Sequence, residues 1–410
     1  MNYRYWFCLA ALALPAGAQP LASLVKEALR SNREILAAQK KYEAARQRPT
    51  QASSLPDPTF ALGYSANGAP YPVAGIGRYA TSNAGFLISQ EMPAPGKRKL
   101  RGEIAQKEAD ADFEQYLSVR LNVVSRLRQA YHELHHAMVG ITLVQQDQDL
   151  LRSILKISEA RYAAGEAAQQ DIFKAQTQFS IFQAELLRYR QERDSKQIEI
   201  NALLNRPPGG SIQAPEDNPP GSIGATLDQM LAHERTQAPE LAQQQKLVER
   251  NELAAQLARK DELPDYTLSG GYFNQGSMPP MWQFRVDFKL PAYFWRKQRA
   301  GIAEQAFTAT EARHAYEAAD VSIQARIRED YTVAQTALQL INLYDKSVIP
   351  EAQLAFRSSL ASYETGSLDF VSVFSNFMNV VNYQLEYHEE IMQFHLARAR
   401  LEEMTGMEME

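Results

Sequence analysis

At 410 residues, with 45% hydrophobic side chains and a formal charge of −5, the chain can bury a sizeable core, and its length fits about two or three domains. The acidity is mild and spread out and no basic run occurs, which argues against nucleic acid as a partner. The one cysteine, Cys8, falls in the leader described next, so the mature chain is expected to carry no disulfide, thiol nucleophile or cysteine metal site.

Residues 1–18 read as a secretory signal peptide: Arg4 gives a positive start, Trp6 to Leu14 an apolar stretch, and Ala16-Gly17-Ala18 a small-residue cleavage site before Gln19. No apolar run of about 18 residues follows, so no transmembrane helix is expected. An exported chain of this kind is periplasmic, secreted or an outer-membrane β-barrel. Residues 21–48 then carry Leu21, Leu24, Val25, Ala28 and Leu29 at helical spacing. The Leu55-Pro56-Asp57 step ends that helix and opens an extended segment.

A β-hairpin is predicted at about 58–92. Phe60, Leu62 and Tyr64 alternate with Ala61, Gly63 and Ser65, and a second strand lies near 82–91 after a Gly/Pro-rich loop. From Lys97 to Tyr162 there is no proline, and the glycines are Gly102 and Gly140. A helix of roughly 68 residues there would be about 100 Å long. It ends at Tyr162-Ala163-Ala164-Gly165, where glycine suits the left-handed residue that closes a helix. A returning helix spans about 167–204, and its Ala-, Gln- and Leu-rich pattern suits close coiled packing. Asn205 to Thr226, with Pro207-Pro208-Gly209-Gly210 and Pro219-Pro220-Gly221, is a linker.

The rest repeats the first part at a spacing of roughly 200 residues. A helix at 227–260 leads to Leu263-Pro264-Asp265, and a hairpin follows at about 265–291. In its second strand Trp282, Phe284, Val286, Phe288 and Leu290 alternate with Gln283, Arg285, Asp287 and Lys289, as in a strand with lipid on one side and water on the other. From Ile302 to Ile349 there is neither proline nor glycine, and Pro350 is expected to kink the helix. Tyr363-Glu364-Thr365-Gly366 ends it, and a helix returns over about 367–404. Met92-Pro93-Ala94 with Arg98-Lys99 matches Leu290-Pro291-Ala292 with Arg296-Lys297. The organisation is therefore a leader, a first structural repeat at 19–204, a linker at 205–226 and a second repeat at 227–410. Four strands cannot close a barrel, and open edges are not tolerated in hydrocarbon, so strands must be pooled with further copies.

These features together resemble the TolC-type outer-membrane efflux channels over essentially the whole mature chain. The resemblance rests on Gln90-Glu91-Met92-Pro93 with Gly96-Lys97-Arg98, on Arg161-Tyr162-Ala163-Ala164-Gly165 with Asp171, and on the duplicates Leu290-Pro291 and Ser362-Tyr363-Glu364-Thr365-Gly366. It implies a membrane α/β fold: a homotrimer with a twelve-stranded β-barrel continued by a periplasmic α-helical tunnel, seated in outer-membrane lipid. It further implies a passive exit channel for a tripartite or type I system, partnered by a periplasmic adaptor and an inner-membrane pump, with no catalytic site and no cofactor. Arg161, Tyr162, Gly165, Tyr363 and Gly366 become the tip residues for adaptor docking, and Asp171, Glu364 and Asp369 the candidates for a gate. The chain departs from the family pattern where an entrance ring of aspartates is expected, with Ser372 and Ser375, and where a latching arginine is expected, with Leu368. Compact length and the Gly-Lys-Arg junction resemble the heavy-metal branch, and drug export stays open.

His132-Glu133-Leu134-His135-His136 matches the HExxH zinc-hydrolase pattern, but mid-helix and without a third ligand motif it reads as helix-surface histidines. Met278 and Met281 read as apolar filler beside the second hairpin. Lys97 to Lys99, with Arg296 and Lys297, read as basic clusters facing lipid head groups. A soluble periplasmic coiled-coil adaptor or scaffold is the competing reading of the whole chain. The alternating strand at 282–290 is the feature that separates the two.

Overall fold

The helical stripe at 21–48 forms three helices rather than one. In the computed structural model, which describes residues 20–68, 71–212 and 219–409, these are α1 (Leu21–Ser31), α2 (Arg33–Ala45) and α3 (Arg48–Ser53). The signal peptide and Cys8 lie outside the described residues. Asn32 makes the first break. Its Oδ1 accepts from the Glu34 and Ile35 amides at 2.9 and 3.1 Å, while its Nδ2 donates to the Leu203 carbonyl at 2.9 Å. One buried side chain thus caps a helix start and ties it to a distant helix end. The expected helix at 227–260 divides likewise into α6 (Leu227–Gln237) and α7 (Pro239–Lys260). Pro239 cannot donate to continue α6 but suits the first turn of α7.

The long helices are α4 (Lys97–Ala163), α5 (Gln169–Leu203), α8 (Lys297–Leu343), α9 (Ile349–Glu364) and α10 (Phe370–Thr405). A π-helical turn at Tyr344–Val348 joins α8 to α9. Pro350 therefore acts one step upstream of itself: its ring would clash with the Lys346 carbonyl in a regular helix, and the wider turn relieves that clash.

The chain forms two compact units, one from the described residues of Met1–Leu36, Ser118–Gln237 and Ile323–Glu410, the other from Ala37–Leu117 and Ala238–Ser322. Each takes segments from both sequence repeats. The second unit holds a four-stranded antiparallel sheet in the order β1 (Thr59–Ser65), β2 (Asn83–Met92), β3 (Asp265–Asn274), β4 (Met281–Lys289). The β2–β3 pairing stitches one repeat to the other, with Gln90 opposite Leu268 and Phe86 opposite Tyr272.

Register places Phe60, Leu62, Tyr64, Phe86, Ile88, Tyr266, Leu268, Tyr272, Trp282, Phe284, Val286 and Phe288 on one face. Most of these are exposed, Phe284 by 84%. The other face carries Ser65, Ser89, Thr267, Ser269, Gln283, Arg285, Asp287 and Lys289, with Leu87, Phe273 and Met281 among them. No helix among the described residues is long and apolar enough to cross a membrane.

In the first unit, Val144, Leu151, Ile154, Phe182, Phe356, Tyr363, Phe370 and Phe377 belong to one buried cluster. It draws on α4, α5, α9 and α10, so the ends of both helical hairpins share a core.

Candidate functional site

Both helical hairpins close with the same main-chain geometry. At the first tip the Gly165 amide donates to the Tyr162 carbonyl and the Glu166 amide to the Arg161 carbonyl, each at 2.9 Å. At the second the Gly366 amide donates to the Tyr363 carbonyl at 3.1 Å and the Ser367 amide to the Ser362 carbonyl at 2.9 Å. Gly165 and Gly366 take φ of 78° and 81°, the left-handed conformation that lets a helix end satisfy its last carbonyls.

The carboxylates after the two glycines occupy different positions of the returning helices. Asp369 is the N-cap of α10 and accepts from the Ser372 amide at 3.0 Å. The hydrogen bonds from Ser372 hold its carboxyl below the usual range. In the first tip the cap is Ala168, without a side-chain bond, and the carboxylate is Asp171 in the first turn of α5. Each tip thus puts one negative group at a helix N-terminus, where the peptide dipoles favour it. Asp171 is buried, whereas Asp369 and Glu364 are exposed.

One side chain joins the tips. The Arg161 guanidinium donates through Nη1 to the Tyr363 carbonyl and lies 4.6 Å from the centroid of the Tyr363 ring. Its Nη2 reaches the Glu166 carbonyl at 3.5 Å, and its Nε lies 3.7 Å from the Glu166 carboxylate. The Tyr363 hydroxyl donates to Ser158 Oγ at 3.1 Å, and Ser158 donates in turn to the Ile154 carbonyl at 3.0 Å. The Phe370 ring meets Tyr363 edge-on at 6.1 Å.

Tyr162 and Tyr363 are duplicates in sequence but not in environment: Tyr363 is 2% exposed and Tyr162 45%. Tyr363 therefore packs its turn from within, while Tyr162 leaves its ring at the surface. Leu368 packs against the apolar cluster, and Ser375 is exposed. Ser158 and Phe370 complete the site without any local motif to announce them.

Two readings from the sequence are corrected. His132, His135 and His136 are buried, not solvated, because α10 covers them. His132 stacks on His395 at 4.0 Å, and His136 Nε2 lies 3.4 Å from Glu389. Burial, with the neighbouring His395, pushes His132 well below the usual imidazole range. Glu133 pairs with Lys196 at 2.7 Å. Among the described residues no group of three or more His, Cys, Asp or Glu is arranged to hold a metal ion. Lys97 likewise does not face lipid. It is 3% exposed, and its ammonium lies 2.9 Å from Asp265 and 3.2 Å from Asp261.

A sheet with one exposed apolar face, together with helices of up to 67 residues that end in paired glycine turns, defines a channel subunit of the outer-membrane efflux type. The chain belongs to the outer membrane efflux protein family, whose profile matches residues 24–206 and 231–407, one segment in each repeat. It is 23% identical over 438 residues to outer membrane protein TolC of Vibrio cholerae, covering 98% of this chain and 95% of that one. Its fold is similar to that of the Vibrio cholerae outer membrane protein VceC, with a TM-score of 0.80 at 18% identity, covering 95% of this chain and 97% of the other. It is also similar to the channel protein CusC, with a TM-score of 0.79 at 15% identity over 96% of this chain and 95% of that one.

Proposed function

We propose that this protein is the outer-membrane exit channel of a tripartite efflux or type I secretion system, conducting solutes passively from an inner-membrane pump and its periplasmic adaptor. The observation that carries this reading is the exposed face shared by all four strands, apolar but for Gln90, with a mainly polar face behind it. A soluble adaptor or scaffold has no use for such a surface, since burying it in lipid or protein is worth about 25 cal/mol per Å². The free edges of β1 and β4 call for partner strands, and three copies would close a twelve-stranded barrel.

The tips supply the periplasmic gate and the docking surface. Arg161, Tyr363 and Gly366 hold the closed arrangement, while exposed Tyr162 and the Gly165 turn meet the adaptor. Asp171, Glu364 and Asp369 set the charge at the entrance. The arginine-to-carbonyl contact takes the place of the arginine–aspartate latch expected from the family pattern. Opening then requires the adaptor to compete for Tyr363 or to pull the α4–α5 tip away from it.

Detergent extraction of the outer membrane, mass measurement and planar-bilayer recording test the reading. A trimer with stepwise conductance is expected. A water-soluble monomer without conductance would overturn it in favour of the scaffold.

A further inference from the structure

A cleft of about 720 Å³ opens in the first unit, lined by α1, α4, the linker near Gly221 and the end of α10. Its volume lies within the range of about 300–1,000 Å³ that takes a drug-sized molecule. The two halves of the cleft differ in chemistry. α1 buries Leu24 and Ala28 and turns a second stripe, half-buried Leu21, Val25 and Leu29, to the cleft at four-residue spacing. Met409 completes this aliphatic wall.

The other half holds Arg128 of α4 and Arg398 of α10, which share one buried carboxylate. Glu402 pairs with Arg128 Nη1, accepts from Arg398 Nε at 3.3 Å and accepts from the Met409 amide at 3.2 Å. Each guanidinium carries five N–H donors, so both have more to offer the cleft they line. Gly221 lets the linker lie close over Arg398, where a Cβ would stand 2.8 Å from Nη1. Burial, and then Arg398 beside it, pushes Arg128 below the usual arginine range, and burial does the same to Arg398. One carboxylate does not neutralise two largely buried guanidiniums. At the rim, Lys26 offsets exposed Glu408, so the cleft stays net positive.

The duplicated segment shows the corresponding place filled from within the chain. Carrying Tyr162 onto Tyr363 sets Gln197 and Asn201 of α5 where α10 has Arg398 and Glu402. Both are uncharged, and both donate to linker carbonyls, Gln197 to Ile212 at 3.2 Å and Asn201 to Gly210 at 2.7 Å. At the end of α5 polar side chains meet main chain; at the end of α10 charged ones border an open cleft.

We propose that this cleft binds a single-chain amphiphilic carboxylate, with its head across the Arg128 and Arg398 guanidiniums and its hydrocarbon chain along Leu21, Val25 and Leu29. A planar guanidinium presents paired N–H groups that match a carboxylate, and a neutral head would leave the second arginine unanswered. His132 and His395 line the same cleft, but burial keeps His132 uncharged, so the arginines carry the selectivity. The bound molecule joins α1 to α4 and α10 and therefore stabilises the fold. None of these residues belongs to the tips or to the sheet, so the site stands or falls apart from the exit-channel reading.

The test is equilibrium dialysis of the intact chain in a non-ionic amphipathic polymer against labelled decanoate, corrected for protein-free polymer. One decanoate per chain is expected, with decanol binding at least tenfold more weakly. Arg398→Gln is expected to weaken decanoate at least tenfold. Val25→Trp fills the aliphatic half and keeps every charge. It is expected to weaken decanoate as much, without lowering the melting temperature of the free protein. Decanoate raises that temperature in wild type and leaves it unmoved in Val25→Trp. Equal binding of decanol, or wild-type decanoate binding by either variant, overturns the site.

Discussion

The Arg161 guanidinium holds Tyr363 twice, stacking 4.6 Å from its ring centroid and donating to its main-chain carbonyl, so one side chain of the first tip fixes both ring and backbone of the second. The carbonyl it takes lies in the last turn of α9, where a cation also meets the negative end of the helix dipole. Gly366 closes the turn beside it with a φ of 81°, a conformation that an L side chain would strain.

Arg161→Ala is expected to remove about 1–3 kcal/mol of tip-to-tip interaction, from the stacking and one charged hydrogen bond. If this contact keeps the channel shut, the open fraction in planar bilayers rises roughly tenfold. Arg161→Lys keeps the charge but not the planar stack and falls between the two. Unchanged conductance in Arg161→Ala would remove Arg161 from the gate.

The two tip tyrosines are expected to respond very differently. Tyr363→Phe loses the hydrogen bond to Ser158 and costs about 1 kcal/mol, while Tyr363→Ala opens a cavity in the shared core and costs about 3–5 kcal/mol. Tyr162→Ala changes stability by less than about 0.5 kcal/mol, yet weakens adaptor capture. Thermal melts and a binding measurement on the same variants separate these effects. Equal destabilisation at 162 and 363 would contradict the assignment.

That asymmetry marks where local sequence stops being informative. Both glycine turns and the strand at 281–289 were legible, because helix closure and two-residue alternation are short-range patterns. The partners that decide the rest are remote. Arg161 meets Tyr363 across 202 residues, and Asn32 breaks its helix by bonding Leu203, 171 residues away. The HExxH stretch has the spacing of a surface pattern, and it is buried because α10 brings His395 and α5 brings Tyr189 against it. Lys97 looks like a lipid-facing cation until the other repeat supplies Asp261 and Asp265.

Half-buried His388 and buried Asp147, both in the first unit, give opposite pH responses. Burial, with His135 and His136 beside it, pushes His388 from 6.5 down to about 4. Between those values the unfolded chain binds a proton that the folded chain does not, so stability falls as pH drops through that window. Asp147 is pushed up from 3.8 to about 7, mainly by burial and then by Glu185. There the folded chain holds the extra proton, and stability falls as pH rises through the window. His388→Gln should flatten the acid limb of a melting-temperature profile by about 2 kcal/mol, allowing for partial exposure. Asp147→Asn should stabilise at pH 8 by up to about 4 kcal/mol and do little at pH 4. An Asp147→Asn profile parallel to wild type would rule out this assignment.

Lys97 is expected to behave as a buried ion-pair member, not as a lipid contact. Lys97→Ala strands the Asp265 carboxylate and costs about 3–5 kcal/mol, whereas Lys99→Ala, at an exposed position, costs almost nothing. Lys97→Met combined with Asp265→Asn recovers much of the loss, since removing both charges avoids leaving one of them buried alone. Refolding yields from denaturant give the comparison. Equal effects at 97 and 99 would show that the pair does not hold the junction.

The sheet gives the sharpest contrast, because neighbouring residues of β4 point to opposite faces. Phe284→Arg places a charge on the exposed apolar side, and in a bilayer this costs about 2–4 kcal/mol near the midplane. Gln283→Arg puts the same charge on the polar face beside Arg285 and Asp287, where water is available, and should be tolerated. Counting trimer recovered from the outer-membrane fraction distinguishes them: a severe loss is expected for Phe284→Arg and near wild-type recovery for Gln283→Arg. Equal recovery would mean that the apolar face does not meet lipid. The reverse ranking would place lipid against the polar face and invert the barrel.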